Sequence, residues 1–245
     1  MKQVTLVTGA ASGIGRAIAS HLHARGHAVV GLDRAWGGGE VRGERLSVDV
    51  GDEAATRAAV RSVIDGWGQI DAVVHAAAVT DLRHRTVRAL PLDVWEQVLR
   101  VNATGSFIVG RAVLDHMIDR DRGNIVFVTS SLGLWKGGIL GDAPYSASKA
   151  AVEMLAHVLA LETAATGLNV NTLYPSVKLD TGFFAHLPEE ERRSLAPPSL
   201  LNESAAFLAE LPPHCASGES VHQEAFDRDP AYARRLMQPR FRGAP

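Results

Sequence analysis

Length, composition and charge exclude several classes of protein. The chain has 245 residues, a formal net charge of −2, and 46% hydrophobic against 21% charged residues. This near-neutral balance gives no electrostatic reason to expect nucleic acid or an anionic membrane as a partner. The single cysteine, Cys215, excludes an intrachain disulfide and a cysteine-based zinc cluster. The length favours one large α/β domain over residues 1–245.

Membrane and secretion signals are not found in the sequence. No uninterrupted apolar run approaches the roughly 20 residues that a membrane span requires. Residues 1–7 resemble a strand that leads into a glycine loop, without the apolar stretch and cleavage site of a signal peptide. We therefore expect a cytoplasmic protein with no membrane partner.

Short β-branched runs alternate with longer helical patterns along most of the chain. This alternation predicts a Rossmann-like, doubly wound α/β fold whose mostly parallel, seven-stranded sheet carries helices on both faces. The predicted strands are residues 4–7, 28–32, 45–48, 70–75, 124–129, 168–173 and, more briefly, 219–223. The predicted helices are residues 14–24, 53–67, 92–118, 143–164 and 201–211. Ligands of such sheets bind at the carboxyl ends of the strands.

Three segments do not follow this periodic pattern. Residues 36–39 indicate a turn that keeps the connection between the second and third strands short. In residues 177–199 the prolines and charges fit no regular period, and a loop of this length in a compact domain is commonly either a lid or disordered. Residues 228–245 form an atypical tail, rich in arginine and proline, beyond the last predicted strand.

A glycine-rich loop, Thr8-Gly9-Ala10-Ala11-Ser12-Gly13-Ile14-Gly15, lies between the first predicted strand and a helix. Glycines let the backbone approach a pyrophosphate, and free N–H groups at a helix start favour its negative charge. The spacing differs from the Gly-x-Gly-x-x-Gly of many dinucleotide folds, and a plain strand-to-helix turn is the alternative. We expect a dinucleotide cofactor to contact Gly9, Ser12, Gly13, Ile14 and Gly15.

Two carboxylates at strand ends indicate which dinucleotide binds. Asp33 ends the second strand, where an acid can bind the adenosine ribose hydroxyls and repel a 2′-phosphate. Asp49 and Val50 end the third strand, where a carboxylate can meet the adenine amino group. A turn or helix cap is the alternative for either acid, and Arg34 could attract a phosphate. We predict NAD as the cofactor, with NADP less favoured.

The most specific pattern is Tyr145-Ser146-Ala147-Ser148-Lys149. Residues four apart lie on one face of a helix, and an ammonium near a phenol lowers the tyrosine pKa from about 10. Such a tyrosine can exchange a proton with a carbonyl or alcohol oxygen. Upstream, Thr129-Ser130-Ser131 ends a strand, where a hydroxyl can hold the substrate oxygen. A lone Tyr-x-x-x-Lys is more often surface decoration, but here it occurs together with the glycine loop and the strand-end serine.

These motifs resemble the compact single-domain branch of the short-chain dehydrogenase/reductase family, over residues 8 to about 181. The family's cofactor loop matches the glycine loop, its Tyr-x-x-x-Lys matches Tyr145 and Lys149, and its catalytic serine matches Ser131. Its fourth catalytic member, an asparagine that holds a water in a proton relay, matches Asn102. The resemblance implies further cofactor contacts from Ala76, Tyr145, Lys149, Val177 and Thr181.

The sequence also departs from the family pattern. His75-Ala76-Ala77-Ala78 stands in place of Asn-Ala-Gly, Pro175-Ser176 in place of Pro-Gly, and His222-Gln223-Glu224-Ala225 in place of Val-Asp-Gly-Gly. The distance from Ser131 to Tyr145 implies a one-residue insertion within residues 137–142. These departures cluster around the expected substrate and subunit contacts rather than the chemical core.

The remaining candidates concern metal and substrate. The ten histidines do not indicate a metal site, because His21 and His23 point to different helix faces and His214 with Cys215 lacks further partners. Lid residues either line a pocket for an apolar or ring-shaped substrate or pack on the protein itself. These lid residues are Phe183, Phe184, His186 and Leu187.

We predict an NAD(H)-dependent oxidoreductase that transfers a hydride between nicotinamide and a secondary alcohol or ketone, with Tyr145 as acid/base and oxidation slightly favoured. One alternative is a ketoreductase or dihydrodiol dehydrogenase of a biosynthetic pathway. Another is a non-catalytic dinucleotide sensor or scaffold, since fold does not fix function. The resemblance implies a homotetramer or homodimer formed through the long helices.

Overall fold

The computed structural model of the protein describes residues 2–37 and 43–239, and its strands form one sheet. All six strand pairings are parallel, in the order β3-β2-β1-β4-β5-β6-β7. The strands are β1 Val4–Thr8, β2 Ala28–Asp33, β3 Glu44–Ser47, β4 Ala72–His75, β5 Gly123–Val128, β6 Leu168–Tyr174 and β7 Ser220–His222. The chain reverses its direction of winding between β1 and β4, where such sheets bind ligands. The predicted Rossmann-like fold is confirmed.

Helices connect the strands along both faces of the sheet. They are α1 Gly13–Ala24, α2 Glu53–Trp67, α3 Leu92–Leu99, α4 Gly105–Asp119, α5 Ala143–Glu162, α6 Glu189–Arg192, α7 Asn202–Ala209, α8 Gln223–Arg228 and α9 Pro230–Leu236. The helix α2 begins and ends where its sequence predicts, because the Asp52 carboxylate accepts a hydrogen bond from Ala55 N at 3.0 Å at its start and Gly68 adopts a left-handed φ of +75° at its end. Within the described ranges, no helix is both long and apolar enough to cross a membrane.

Alternating residues of the central strands face two separate hydrophobic layers. Leu6 packs in the layer formed with α2, α4 and α5, and its neighbour Val7 packs in the layer formed with α1 and α7. This alternation is the period of two that a strand imposes on its side chains. Because both faces are covered, the central strands are apolar on both sides, and they hold the carboxyl-end loops in fixed positions.

The long helix predicted over residues 92–118 is interrupted in the structure. A π-helical turn, Arg100–Thr104, lies between α3 and α4, and Gly105 N donates to the carbonyl of Arg100 five residues earlier. A Cβ at position 105 would lie 2.9 Å from Val50 Cγ2, so the helix passes close to the end of β3. Asn102 lies inside this turn, and π turns are common at functional sites.

The segment 177–199, expected to be an irregular loop, contains local structure. Leu179 and Ala196 form an isolated parallel bridge, and Asp180 pairs with Arg192 at 2.8 Å. Short 3-10 turns at Gly182–Phe184 and Pro198–Leu201 flank the helix α6. The segment is therefore a folded strap whose two ends are fastened together.

The tail also has regular structure as far as the chain is described. The helices α8 and α9 follow β7, and Leu236 of α9 is buried against the α1 and α7 layer. Part of the predicted turn at residues 36–39 and the tail beyond residue 239 lie outside the described residues.

Candidate active site

A cavity of about 860 Å³ runs along the carboxyl ends of the central strands, between the glycine loop and the strap. This volume is typical of a site for a cofactor and a small molecule. Its walls include all of the residues predicted to contact a cofactor: Gly9, Ser12, Gly13, Ile14, Gly15, Asp33, Asp49, Val50, Ala76, Tyr145, Lys149, Val177 and Thr181. Of the four predicted catalytic residues, Ser131, Tyr145 and Lys149 line the cavity, and Asn102 lies behind its wall.

The glycine loop has the shape of a phosphate cradle. Gly9 has φ +67°, and a Cβ there would lie 2.9 Å from the backbone of Ala77. A Cβ at Gly15 would lie 2.2 Å from the carbonyl oxygen of Gly9, so no other residue fits this turn. Ser12 precedes α1 without a side-chain cap, which leaves the first N–H groups of the helix available to a pyrophosphate. The loop therefore fits a dinucleotide.

The two acids at the far end of the cavity are held differently. Asp33 accepts hydrogen bonds from Ala11 N at 3.0 Å and Ala35 N at 3.2 Å, which fix its carboxylate at the end of β2. Asp49 accepts from Gly51 N and pairs with Arg100 at 3.0 Å. Burial would raise the pKa of Asp49, but these partners outweigh it and lower that pKa, so the acid stays ionised.

The serine beside Tyr145 is not the one that the sequence predicts. Ser130 hydrogen-bonds the Tyr145 phenol, whereas Ser131 is exposed and begins a 3-10 turn. The Ser130 backbone is still extended, with φ −156° and ψ 146°, and this residue lines the cavity. When the spacing to Tyr145 is counted from Ser130, the implied insertion is two residues long, one more than the sequence analysis predicts.

Lys149 is buried one helical turn beyond Tyr145, as predicted. Its Nζ donates to the carbonyl of Val128 at 2.8 Å and lies 5.6 Å from the centre of the Tyr145 ring. Burial lowers the pKa of Lys149 to about 8, and the charge of Glu153 acts in the opposite direction. Glu153 was missed by the sequence analysis, although it stands four residues after Lys149 and accepts hydrogen bonds from the hydroxyls of Thr129 at 2.5 Å and Thr172 at 2.9 Å.

Tyr145 itself differs from the expectation of a lowered pKa. Burial and the charge of Asp142 both raise the pKa of this tyrosine, and the hydrogen bond with Ser130 lowers it. The phenol also meets Phe183 of the strap edge-on, with ring centres 5.8 Å apart. In the protein alone, the surroundings therefore favour the protonated tyrosine.

Asn102 joins two parts of the site. Its amide accepts from Val79 N at 2.8 Å and donates to Val79 O at 2.9 Å, which holds the strand-to-helix segment after β4. The same amide donates to Ser148 Oγ at 2.9 Å, inside the Tyr-x-x-x-Lys pattern. The residue is fully buried, so it acts as a brace between the π turn and α5.

His75, in place of the family's asparagine, is buried beneath the glycine loop. Its Nδ1 lies 2.9 Å from Thr8 Oγ1, and Thr8 Oγ1 accepts from Ala77 N at 3.1 Å. The Thr8 hydroxyl can then donate to Nδ1, and no described residue pairs with His75 Nε2. Burial and the charge of Lys149 lower the pKa of His75 to about 3, so the ring is neutral.

Two other departures from the family pattern contact each other. Ser176 Oγ donates to Gln223 Oε1 at 3.1 Å, and Gln223 is buried at the start of α8. A serine at the base of the strap and a glutamine after β7 therefore form one link. Neither residue alone indicated this link in the sequence.

The strap forms one wall of the cavity. All four lid residues proposed for substrate contact, namely Phe183, Phe184, His186 and Leu187, line it. Thr181 lies over the glycine loop, since a Cβ at Gly13 would lie 3.4 Å from its methyl group. Within the described part of the chain, no group of three or more His, Cys, Asp or Glu side chains is arranged to hold a metal ion.

Fold and cavity define this protein as a dinucleotide-dependent oxidoreductase. The family model described as short chain dehydrogenase matches residues 3–192, and the chain belongs to the short-chain dehydrogenase/reductase family. It is 30% identical over 236 residues to the 3-oxoacyl-(acyl-carrier-protein) reductase of Vibrio cholerae, with 90% of this chain and 95% of that protein covered. These findings confirm an enzyme that acts on CH–OH or ketone groups.

Two further relatives illustrate the range of the family. The cis-4-hydroxycyclohexanecarboxylate dehydrogenase of Sinomonas cyclohexanicum is 34% identical over 226 residues, with 85% of this chain and 89% of that protein covered. A solved structure of a variant of ElxO with NADPH bound has a TM-score of 0.81 at 20% identity, covering 91% and 97% of the two chains. The latter likeness is one of fold.

Proposed function

We infer that this protein is an NAD(H)-dependent dehydrogenase of secondary alcohols, with Tyr145 as the general acid/base. The observation that carries this proposal is one cavity with Ser130, Tyr145 and Lys149 at one end and the glycine loop with Asp33 at the other. When bound, the nicotinamide would supply or accept a hydride at the substrate carbon.

The chain's own residues divide the remaining work. Ser130 would hold the substrate oxygen beside the Tyr145 phenol, which takes the alcohol proton in oxidation and returns it in reduction. The Lys149 ammonium would hold the cofactor ribose and favour the phenolate by its charge. Asn102 braces α5 through Ser148 and keeps both groups in place. Ser130 therefore replaces Ser131 in the proposed catalytic set.

Asp33 supports the choice of NAD over NADP. Its carboxylate lines the cavity at the end of β2, fixed by two backbone N–H groups, where it would accept hydrogen bonds from the ribose hydroxyls. A 2′-phosphate placed there would meet a like charge at short range. Arg34 also lines the cavity beside it, so NADP remains the competitor to be measured.

The direction of the reaction, oxidation of a secondary alcohol or reduction of a ketone, is a separate question from the choice of cofactor. One relative is named a 3-oxoacyl reductase and another a hydroxycyclohexanecarboxylate dehydrogenase, so both reduction of ketones and oxidation of secondary alcohols occur among similar proteins. A non-catalytic sensor would not need Ser130, Tyr145 and Lys149 assembled at one point.

Titration of the protein with NAD⁺ and NADP⁺ by calorimetry, followed by a screen of alcohols and ketones at the NADH absorbance, tests the proposal. We expect tighter binding of NAD⁺, and Asp33→Ala should narrow the difference because it removes both the hydrogen bonds and the repulsion. Equal or reversed affinities in the wild type would contradict the NAD assignment. Binding without turnover of any alcohol or ketone would instead favour the sensor.

Exposed apolar side chains support a homotetramer or homodimer. Met154, Val158 and Leu161 lie on one face of α5, and Phe107 and Ile118 are exposed on α4, which packs beside it. Exposed apolar side chains grouped on neighbouring helices commonly mark an interface between chains. A second copy of the chain would bury both helices.

A further inference from the structure

The substrate end of the cavity holds an acid, Asp142, whose carboxylate is only partly paired by the fold. Asp142 is the N-cap residue of α5, a position where an aspartate normally accepts a backbone N–H of the first turn. Its carboxylate makes no such cap, and Pro144 at the second helical position has no N–H to donate. The backbone alone begins the helix, through Ser146 N and the Asp142 carbonyl at 2.9 Å.

A comparison with a neighbouring acid shows how incompletely Asp142 is paired. Asp81 accepts from Arg83 N and Arg85 N and binds the Arg85 guanidinium at 2.8 Å. Asp142 is equally buried, with 5% of its surface exposed, and its hydrogen bond comes from the Thr80 hydroxyl. A carboxylate offers about four acceptor positions, and leaving them empty in a buried place is costly.

The charged or titratable groups that face Asp142 come from three segments: His84 and Asp81 from the loop after β4, Lys178 from the strap and Tyr145 from α5. His84 Nδ1 lies 3.9 Å from the carboxylate, which is beyond a hydrogen bond. Burial raises the pKa of Asp142, while His84 and Lys178 lower it. The rest of this end of the cavity is mainly apolar, with Ile139, Phe183 and Leu187 in its wall.

We propose that Asp142 is a substrate-binding residue that accepts a hydrogen bond from a second donor group, so that the substrates are hydroxylated alcohols or ketones such as ring diols. This inference rests on the proposed function. Asp142 and Tyr145 lie three residues apart where α5 begins, and both line the cavity, so one substrate can contact the phenol and the carboxylate together. A hydroxyl on a carbon near the reacting one would then meet the carboxylate. A substrate carboxylate would instead meet a like charge.

Binding of a substrate donor group by Asp142 would also affect the pKa of Tyr145. The negative charge of Asp142 raises the pKa of Tyr145 and so opposes the phenolate. A substrate hydroxyl or ammonium that donates to the carboxylate would weaken this repulsion. The right substrate would then assist the ionisation of Tyr145, whereas a simple alcohol would not.

The test compares cyclohexanol, trans-1,2-cyclohexanediol and trans-2-aminocyclohexanol as probes with NAD⁺. The enzymes are the wild type, Asp142→Ala, Asp142→Asn and the control Asp65→Asn, which alters an exposed carboxylate on α2. For the wild type we expect kcat/KM on the diol to exceed that on cyclohexanol. At a pH above the midpoint of oxidation, Asp142→Ala should lower the diol value about 10- to 100-fold and leave cyclohexanol nearly unchanged, because a hydrogen bond to a charged group is lost.

The Asn variant separates the two kinds of donor. It keeps an acceptor oxygen without the charge, so it should retain part of the preference for the diol but lose any preference for the ammonium of the amino alcohol. A fall of equal size on cyclohexanol and the diol, or no fall on either, overturns the proposal while leaving the proposed dehydrogenase intact. Melting curves of each variant confirm that it is folded.

Two further measurements are the pH midpoint of cyclohexanol oxidation and, if no probe reacts, the binding of the diol. On cyclohexanol, Asp142→Asn should move the pH midpoint of oxidation downward, since it removes the charge that opposes the Tyr145 phenolate. If none of the probes reacts, calorimetry of the diol on the complex with NADH decides the question. Weaker binding to Asp142→Ala supports the site even though the missing turnover contradicts the proposed function, and equal or undetectable binding in both proteins overturns the site.

Discussion

Single residues carry the chemistry of this site, and Tyr145 is the residue on which the proposed function depends. Its neighbours oppose one another, because burial and Asp142 favour the protonated phenol while Ser130 favours the phenolate. Lys149 supplies positive charge 5.6 Å from the ring centre. The balance of these groups decides the pH at which the tyrosine can act as a base.

Replacing Tyr145 by phenylalanine removes the exchangeable proton and little else. General acid/base groups typically contribute factors of about 10² to 10⁴, so kcat should fall by that amount while NAD⁺ binding changes little. Initial rates at the NADH absorbance and calorimetry measure the two effects. Tyr174→Phe is a matched control, because Tyr174 ends β6 and stacks on His222. Near-normal turnover by Tyr145→Phe would falsify the proposed mechanism.

The pH dependence of alcohol oxidation follows from the same residue. The phenolate is the base, so the rate should rise with pH through the tyrosine's pKa and then level off. With oxidised cofactor bound, the positive charges of Lys149 and nicotinamide should bring that midpoint below the free value of about 10. Lys149→Ala should move the midpoint upward and weaken cofactor binding together. A midpoint that does not move in Lys149→Ala argues against its electrostatic role.

His75 predicts a dependence of stability on pH. In the folded protein burial holds its pKa at about 3, whereas in the unfolded chain it binds a proton below about 6.5. Between these values the unfolded state binds more protons, so the free energy of unfolding falls as pH falls. His75→Asn should reduce the loss between pH 7 and pH 5 by about 1–2 kcal/mol, measured by urea unfolding. His186→Asn, an exposed strap residue, should leave the loss unchanged, and equal losses in all three proteins would refute this account.

At the scale of secondary structure, the sequence pattern predicts the sheet well. The seven strands and α2 were predictable because short β-branched apolar runs indicate buried strands and an aspartate cap indicates a helix start. The π turn at Arg100–Thr104 was not, since one extra residue in a turn barely changes the helical period. The helices α8 and α9 were missed because they are only six and seven residues long.

The sequence predicts those site residues whose relative positions follow from a helical motif. It does not predict those whose positions depend on a turn. Tyr145 and Lys149 sit four apart in a helix, so their common face follows from the sequence. The choice between Ser130 and Ser131 depends on where β5 ends and a 3-10 turn begins, which spacing alone does not reveal. Asp142 and Glu153 gain their roles from contacts across the fold, and no local pattern indicates such contacts.

We predict that hydrogen exchange differs between the base and the tip of the strap. Its base is fastened by the Asp180 N and Ala196 N hydrogen bonds and by the Asp180–Arg192 pair, while its tip lines the cavity and meets the protein through ring contacts such as that of Phe183 with Tyr145. We expect slow exchange at the base in all states and slower exchange at residues 183–187 once NAD⁺ binds, as lids that exclude water behave. Arg192→Ala should speed exchange at the base. Equal, strong protection of the whole segment with and without NAD⁺ would count against a lid.

At the scale of the whole molecule, the cavity and the apolar helix face are built from the same elements. The helix α5 presents Tyr145 and Lys149 at its start and exposes Met154, Val158 and Leu161 further along. The helix α4 follows directly from the π turn that holds Asn102. An interface over these helices would therefore brace the elements that position the catalytic groups.

Charged substitutions on α5 test whether this apolar face is the interface. Met154 and Leu161 are 62% and 63% exposed on α5, so replacing both by glutamate should place charges in the proposed interface and give monomers. Light scattering after size-exclusion chromatography measures the mass, for which one chain contributes 26.1 kDa. Val87→Glu alters an equally apolar residue, 75% exposed but away from α4 and α5, and should leave the oligomer intact. A monomeric wild type, or a double variant that keeps the wild-type mass, would show that this face is not the interface. If the monomer also loses activity while its NAD⁺ affinity persists, the partner chain supports the positions of Tyr145 and Lys149 rather than the cofactor loop.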